Sequence, residues 1–336
     1  MAETTAAPSR PAAFPAPRGV ETDAPCRSRQ GVTRRAARIL DWLRAGAAMA
    51  RYSTRFLPAV LRCHSFAAPS ALPVLRMTTS LPGSRIDEWK KFFQSPEGTT
   101  PLFTYFTPEN SRLLFGMLNK FGINFRHLLL VQHDLVASSG TGCLISDAAY
   151  ELEAHVAELR VRPRQHVALA FRCVVRRAGH PAPVFETSDR FLVKEVPLPD
   201  YEALRSRSDL PRGADKEALA PRLDPESPSV RRHSLRVPMG AGLGFGLLSG
   251  DLNLAHAHDR LARWFGHPRP FAQGLYTSNQ VVATLARLAG LSPTRLSVRF
   301  CRPLVLGQDA LLLHSDRAFE VLDASGKLVA AGTFGA

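Results

Sequence analysis

The segment Gln273–Gly290, QGLYTSNQVVATLARLAG, limits the folds open to this chain more than any other. Val281, Val282, Leu285 and Leu288 recur at helical spacing, and Gly290 follows as a stop, so the segment predicts an apolar helix. Four short strand candidates come directly after it: TRLSVRFCRPL, DALLLHS, AFEVLD and LVAAGTF, the last two joined by the turn DASGK. A further strand, RRHSLRVP, and a short helix, HDRLARWFG, precede it. A helix this apolar must be covered, and an antiparallel sheet encoded beside it is the available cover.

The same order occurs earlier in the chain. FTPENSRLLFGMLNKFG predicts a helix with Thr107 as cap, Pro108 in the first turn, Leu114, Met117, Leu118 and Phe121 on its apolar face, and Gly122 as its end. RIDEWKKFF before it reads as a short amphipathic helix. RHLLLVQHDLVA, LEAHVAELRV, HVALAFRCVV and VFETSDRFLVK read as strands, the last two forming a hairpin through RRAGHPAP. A long helix wrapped by one antiparallel sheet is a hotdog. Two in one chain make an α+β double hotdog.

The expected organisation is a basic extension over 1–84, an N-terminal hotdog over 85–196, a proline-rich linker over 197–230 and a second hotdog over 231–336. The extension has no lysine, few acids and much Arg, Ala, Pro and Ser. Its first thirty residues read as disordered. Residues 33–63 then form a basic amphipathic helical pattern, with Ile39, Leu40, Trp42, Leu43 and Met49 on one side. It reads either as a membrane-surface or transit segment or, the favoured expectation, as dispensable, with a functional start at Met77.

The formal charge is +14 over 336 residues, nearly all from arginine. Such a balance fits phosphate-bearing partners, coenzyme A and phosphorylated carriers among them, although GC-rich coding bias accounts for part of it. The five cysteines are scattered with no Cys-x-x-Cys, which fits a reducing compartment and a cytoplasmic location, or an organellar matrix if the extension is a transit peptide. No run of eighteen apolar residues occurs, so no stable membrane insertion is expected.

One stretch concentrates proton-handling groups: LSGDLNLAHAHD, Leu248–Asp259, after the Gly-rich MGAGLGFG. Asp251, Asn253 and His256 can be brought to one side by a curled loop. A carboxylate beside an imidazole in an apolar cleft is an acid/base pair near neutral pH. Spacing alone leaves ordinary turn polarity open, because Ser-Gly-Asp with Asn is also a good turn and helix-entry sequence. A metal site on His256, His258 and Asp259 would have no second ligand set. No Walker loop, dinucleotide fingerprint or Gly-x-Ser-x-Gly stands out. Neither a cofactor nor a metal is expected.

The run from Leu248 to Leu285 resembles the signature of the MaoC-like dehydratases, the (R)-specific enoyl-CoA hydratases. The matching residues are Ser249, Gly250, Asp251, Asn253, His256, Gly266, Pro270 and Gly274. The resemblance implies reversible syn addition of water to a trans-2-enoyl thioester of CoA or an acyl carrier protein, giving a (3R)-3-hydroxyacyl thioester. It implies that Asp251 and His256 hold the catalytic water, that Asn253 supports the loop or the substrate, and that a backbone N–H near Gly274 polarises the thioester carbonyl. Two positions depart from the pattern: Leu254 stands for the proline after Asn, and Gln273 for the histidine before Gly274. Gln273 still donates and accepts hydrogen bonds but carries no proton charge.

Gln273, Gly274, Tyr276, Arg295 and Arg299 are therefore the expected substrate contacts, beside Asn253. The two arginines are an even number apart on a strand and share a face, from which they would meet a CoA or carrier phosphate or simply be solvated. The first half lacks the signature. His133 and Asp134 in VQHDL are adjacent on a strand and point to opposite faces, which favours core and surface roles over catalysis. In such proteins the degenerate half widens the acyl tunnel in place of a dimer partner, and a dimer of double hotdogs is the assembly to expect. The rival readings are a hotdog acyl-thioesterase and an acyl-thioester-binding protein of impaired activity. A nucleic-acid partner is not expected, since aromatics are not interleaved with the arginines.

Overall fold

A computed structural model of the chain describes residues 72–95, 105–124, 127–138, 144–206, 222–291 and 293–335. The amphipathic segment expected over 33–63 lies outside them.

The described strands join into one ten-stranded antiparallel sheet. In chain order they are β1 (Val74–Ser80), β2 (Leu128–Ala137), β3 (Ala149–Arg162), β4 (His166–Arg177), β5 (Pro183–Val193), β6 (Arg231–Arg236), β7 (Arg295–Phe300), β8 (Asp309–His314), β9 (Ala318–Leu322) and β10 (Leu328–Gly335). Their order across the sheet is β1-β3-β4-β5-β2-β7-β10-β9-β8-β6. Strands β1–β5 form one half and β6–β10 the other. The seam is β2 against β7, where Gln132 faces Arg299 and Val136 faces Arg295.

The helices are α1 (Gly83–Phe93), α2 (Thr107–Lys120), α3 (Leu198–Ser206), α4 (Ala241–Ser249), α5 (Asp259–Trp264) and α6 (Gly274–Ala289). Helix α2 packs on β1 and β3, and α6 packs against β6 and α1. Each half is a helix held by its own part of the sheet, as expected for a double hotdog. Helix α6 buries Val281, Val282 and Leu285 completely or nearly so, and Gly290 caps it at φ 64°, a left-handed conformation that costs glycine little. The aromatic rings of Trp89, Phe93, Phe245 and Tyr276 meet edge-on or tilted with centroids 5.7–6.1 Å apart, tying α1, α4 and α6 together.

Two boundaries move. Val74–Ser80 falls inside the expected extension, yet it is strand β1, paired residue for residue with β3 from Val74↔His155 to Ser80↔Ala149. Met77 sits opposite Leu152 in mid-strand, so a chain starting there would lose the first part of β1. The expected linker 197–230 begins with helix α3, whose Leu204 is buried. Tyr201 on the same helix donates its hydroxyl to the Arg162 carbonyl at 3.0 Å.

Among the described residues, no helix is long and apolar enough to cross a membrane.

Candidate active site

The Gly-rich run is a helix, not a loop. Despite three glycines, α4 holds because its glycines are where another segment comes close. A Cβ at Gly242 would lie 1.9 Å from the His256 carbonyl oxygen, and one at Gly246 would lie 2.8 Å from the Asp251 carbonyl oxygen. These two glycines, one helical turn apart, make the groove in which the loop 250–256 rests. Gly250 ends α4 at φ 75° and turns the chain back along it.

The returning loop is held by its own short side chains. Ser249 Oγ accepts from the Asp251 N–H at 3.2 Å, and Asn253 Oδ1 accepts from the Ala255 N–H at 3.1 Å, opening a 3-10 turn over Leu254–His256. The turn signal read from Ser-Gly-Asp-x-Asn is therefore real. It coexists with the placing of Asp251 and His256 on one cavity rather than excluding it. The backbone N–H of Asn253 donates to the Asp251 carboxylate.

His256 is 7% exposed. Its Nδ1 lies 2.8 Å from the Phe271 carbonyl oxygen, which can only accept, so Nδ1 carries the proton and Nε2 holds the free lone pair. Burial pushes Asp251 above the ordinary carboxylate range, opposed by the His256 charge and the Asn253 N–H. Burial pushes His256 below the ordinary imidazole range, opposed by Asp251 and by the Phe271 carbonyl. The two groups are drawn towards each other in proton affinity, which suits a pair that must both take and give a proton.

Both face a cavity of about 260 Å³ between the two halves. The C-terminal half lines it with Asp251, Asn253, His256, His267, Phe271, Gln273, Gly274, Leu275 and Thr277. The N-terminal half adds Asn110, Leu114, Phe115, Leu130, Asp189 and Phe191. Most of the wall is apolar.

Gln273 is 3% exposed and stands at the entry to α6, where its carbonyl accepts from the Thr277 N–H at 3.1 Å while its side chain makes no capping bond to the helix. Its Nε2 donates to the Gly242 carbonyl at 3.0 Å and to the Asp251 carbonyl at 3.3 Å. Both partners are acceptors, which fixes the orientation of the amide. Gln273 thus clamps the Asp251 loop onto α4 while bordering the cavity. Gly274 opens α6, and the first-turn N–H groups of a helix have no partner within it. A Cβ at Gly274 would come within 3.1 Å of Leu130 and Phe300, so the residue lets the helix end approach the wall of the cavity.

Three expected contacts lie elsewhere. Tyr276 is 3% exposed and packs into the aromatic cluster, where burial raises its hydroxyl to about 12; Thr277 is the neighbour that lines the cavity. Arg295 and Arg299 do share a face of β7, but the wrong one. Leu296, Val298 and Phe300 alternate towards the interior, with Phe300 on the cavity, so both arginines lie on the outer face of the sheet. Arg302, just beyond the strand, is the arginine of this segment that borders the cavity. His258 accepts from the Arg260 N–H and caps α5, so it serves the helix start rather than the pair. Asn110, Asp189, His267 and Phe271 were not foreseen. They come from separate elements, and no local pattern marks them.

With this geometry in hand, comparison with solved structures is informative about the fold. HtdX of Mycobacterium tuberculosis matches with a TM-score of 0.58 at 16% identity, over 78% of this chain and 99% of that one. A MaoC-like dehydratase from Phytophthora capsici matches with a TM-score of 0.59 at 12% identity, over 79% of this chain and 95% of that one. This chain has the fold of the MaoC-like dehydratases. Part of the peroxisomal multifunctional enzyme type 2 from Drosophila melanogaster also matches, with a TM-score of 0.55 at 15% identity, over 78% of this chain and 48% of that one. No family model and no curated protein matches the sequence. The MaoC-like fold therefore rests on structure.

Proposed function

We propose that the protein is a hydro-lyase that reversibly hydrates trans-2-enoyl thioesters to (3R)-3-hydroxyacyl thioesters. The observation that carries this reading is that Asp251 and His256 line one largely apolar cavity that the start of α6 also borders. A water held between the two groups would lose a proton to the pair as its oxygen bonds to C3. The same pair would deliver a proton to C2. Negative charge that develops on the thioester oxygen would be met by the first-turn N–H groups of α6 and by the helix dipole. In the reverse direction the pair removes a proton from C2 and protonates the departing hydroxyl.

Asn253 and Gln273 act as positioning residues, since both brace the loop that bears Asp251. The carrier is CoA or an acyl carrier protein, and Arg302 is the cavity arginine available to its phosphates. A dimer of double hotdogs is the proposed assembly. The scattered cysteines favour the cytoplasm.

The test follows loss of the enoyl absorbance of crotonyl-CoA and longer trans-2-enoyl-CoAs, with free thiol measured in parallel. Hydration without thiol release is expected. Thiol release without hydration would replace the proposal with a thioesterase. Asp251→Asn and His256→Ala are each expected to lower the rate at least about a hundredfold, and full activity in either would refute the assignment.

A further inference from the structure

The N-terminal half carries a second buried acid–imidazole pair. His133 on β2 and Asp189 on β5 are direct cross-strand partners. His133 Nδ1 donates to Asp189 Oδ1 at 2.7 Å, and the Asn110 amide on α2 donates to Asp189 Oδ2 at 3.2 Å. His133 is 1% exposed and Asp189 5%. Asp189 and Asn110 line the same cavity as Asp251 and His256, beside Leu114, Phe115 and Phe191. Behind them is a second, small cavity of about 10 Å³, room for about one water. It is bordered by Asn110, His133, Thr187 and Cys173. Two buried polar atoms at this place, His133 Nε2 and Thr187 Oγ1, have no hydrogen-bond partner. The Cys173 thiol is raised to about 12, first by burial and then by the charge of Asp189.

A buried polar pair is a poor device for stability alone, because apolar residues of the same volume often do as well or better. Here it is built from three elements and turned towards an otherwise apolar wall. We propose that Asp189, oriented by His133 and Asn110, is a recognition point for a hydroxyl group on the acyl chain, so that the preferred substrate is a chain-hydroxylated acyl thioester. A carboxylate offers about four acceptor positions. His133 and Asn110 occupy two, which leaves acceptor capacity for a hydroxyl donor. An anionic substituent would be repelled, and an ammonium group would have to shed its hydration in an apolar cavity. A neutral donor fits both constraints.

This inference rests on the reading that the cavity takes the acyl chain of a thioester. The experiment separates the two. Binding of decanoyl-CoA is compared with that of its monohydroxylated isomers, the hydroxyl placed at every position from the fifth carbon outward. At least one isomer is expected to bind about tenfold more tightly than decanoyl-CoA, the scale of a hydrogen bond to a charged group. If decanoyl-CoA itself fails to bind, the acyl-cavity reading falls. If it binds and no isomer is preferred by more than about twofold, the hydroxyl site alone is overturned.

Asp189→Asn is expected to reduce the preference for the favoured isomer over decanoyl-CoA to about twofold or less. A purely structural pair would instead shift thermal stability and both affinities together. Should that variant not fold, His133→Phe combined with Asp189→Leu removes the pair without leaving a lone buried charge. Retention of the full preference in either variant would overturn the assignment.

Discussion

Gly242→Ala is the sharpest perturbation of the site, because it adds one methyl group and replaces neither Asp251 nor His256. The new Cβ would start 1.9 Å from the His256 carbonyl oxygen and 2.9 Å from its carbonyl carbon. Carbon and oxygen in close contact sit about 3.3 Å apart, so the two backbones must separate by about 1.4 Å. Neither side yields easily. Helix α4 is anchored by Phe245 in the aromatic cluster, and His256 is anchored through Nδ1 to the Phe271 carbonyl. Overpacking of this kind costs about 1–3 kcal/mol, offset by no more than about 1 kcal/mol of helix propensity gained from alanine. Misplacing a reacting group by about 1 Å lowers a rate by about a hundredfold. The variant is therefore expected to lose about a hundredfold in kcat on an enoyl thioester while still melting cooperatively. Gly240→Ala, in the same run, is the control: nothing lies within 4 Å of its Cβ position, and it should keep wild-type activity. Equal activity in the two variants would refute the account of α4 as a cradle for the loop.

Other outcomes follow from the same geometry. Gln273→Leu strips donors from the Gly242 and Asp251 carbonyls and should lower stability by about 2 kcal/mol and kcat with it, measured by denaturant unfolding and steady-state kinetics. Asp251→Asn should inactivate the protein yet stabilise it near neutral pH. A carboxyl whose folded pKa is raised favours folding only while protonated, and that advantage is lost as pH rises through the folded value. The gain in melting temperature over wild type should grow from the ordinary carboxylate range upward through that value and shrink on acidification. Deletion of residues 1–76 should lower the melting temperature, since it removes Val74–Arg76 from β1 and breaks the Arg76–Glu153 pair.

What the sequence made legible was whatever is encoded locally. The apolar stripe of α6 and its glycine stop, the β4–β5 hairpin, and Asp251 with His256 all lie in short runs whose spacing survives folding. The groove under the loop was hidden, because glycines that weaken an isolated helix are favoured where another backbone lies against it. The outward face of Arg295 and Arg299 was hidden too. Even spacing says that two strand residues share a face, and only the packing of the sheet says which. The Asn110–Asp189–His133 cluster is drawn from α2, β5 and β2, and no sequence window contains it. Strand β1 was masked by the arginine-rich composition before it, although its alternating burial is ordinary for an edge strand.

The β2–β7 seam also governs how the chain must assemble. Gln132 and its partner Arg299 are far apart in sequence, so β2 leaves the ribosome long before the strand that will cover its second edge exists. Until then the nascent N-terminal half presents an open row of backbone donors and acceptors, a template for intermolecular pairing. Long-range pairing of this kind is slow, and larger proteins with unpaired edges are aggregation-prone while they wait. The N-terminal half expressed alone should therefore be sticky rather than inert, and chaperone demand during synthesis should fall only once β7 has emerged.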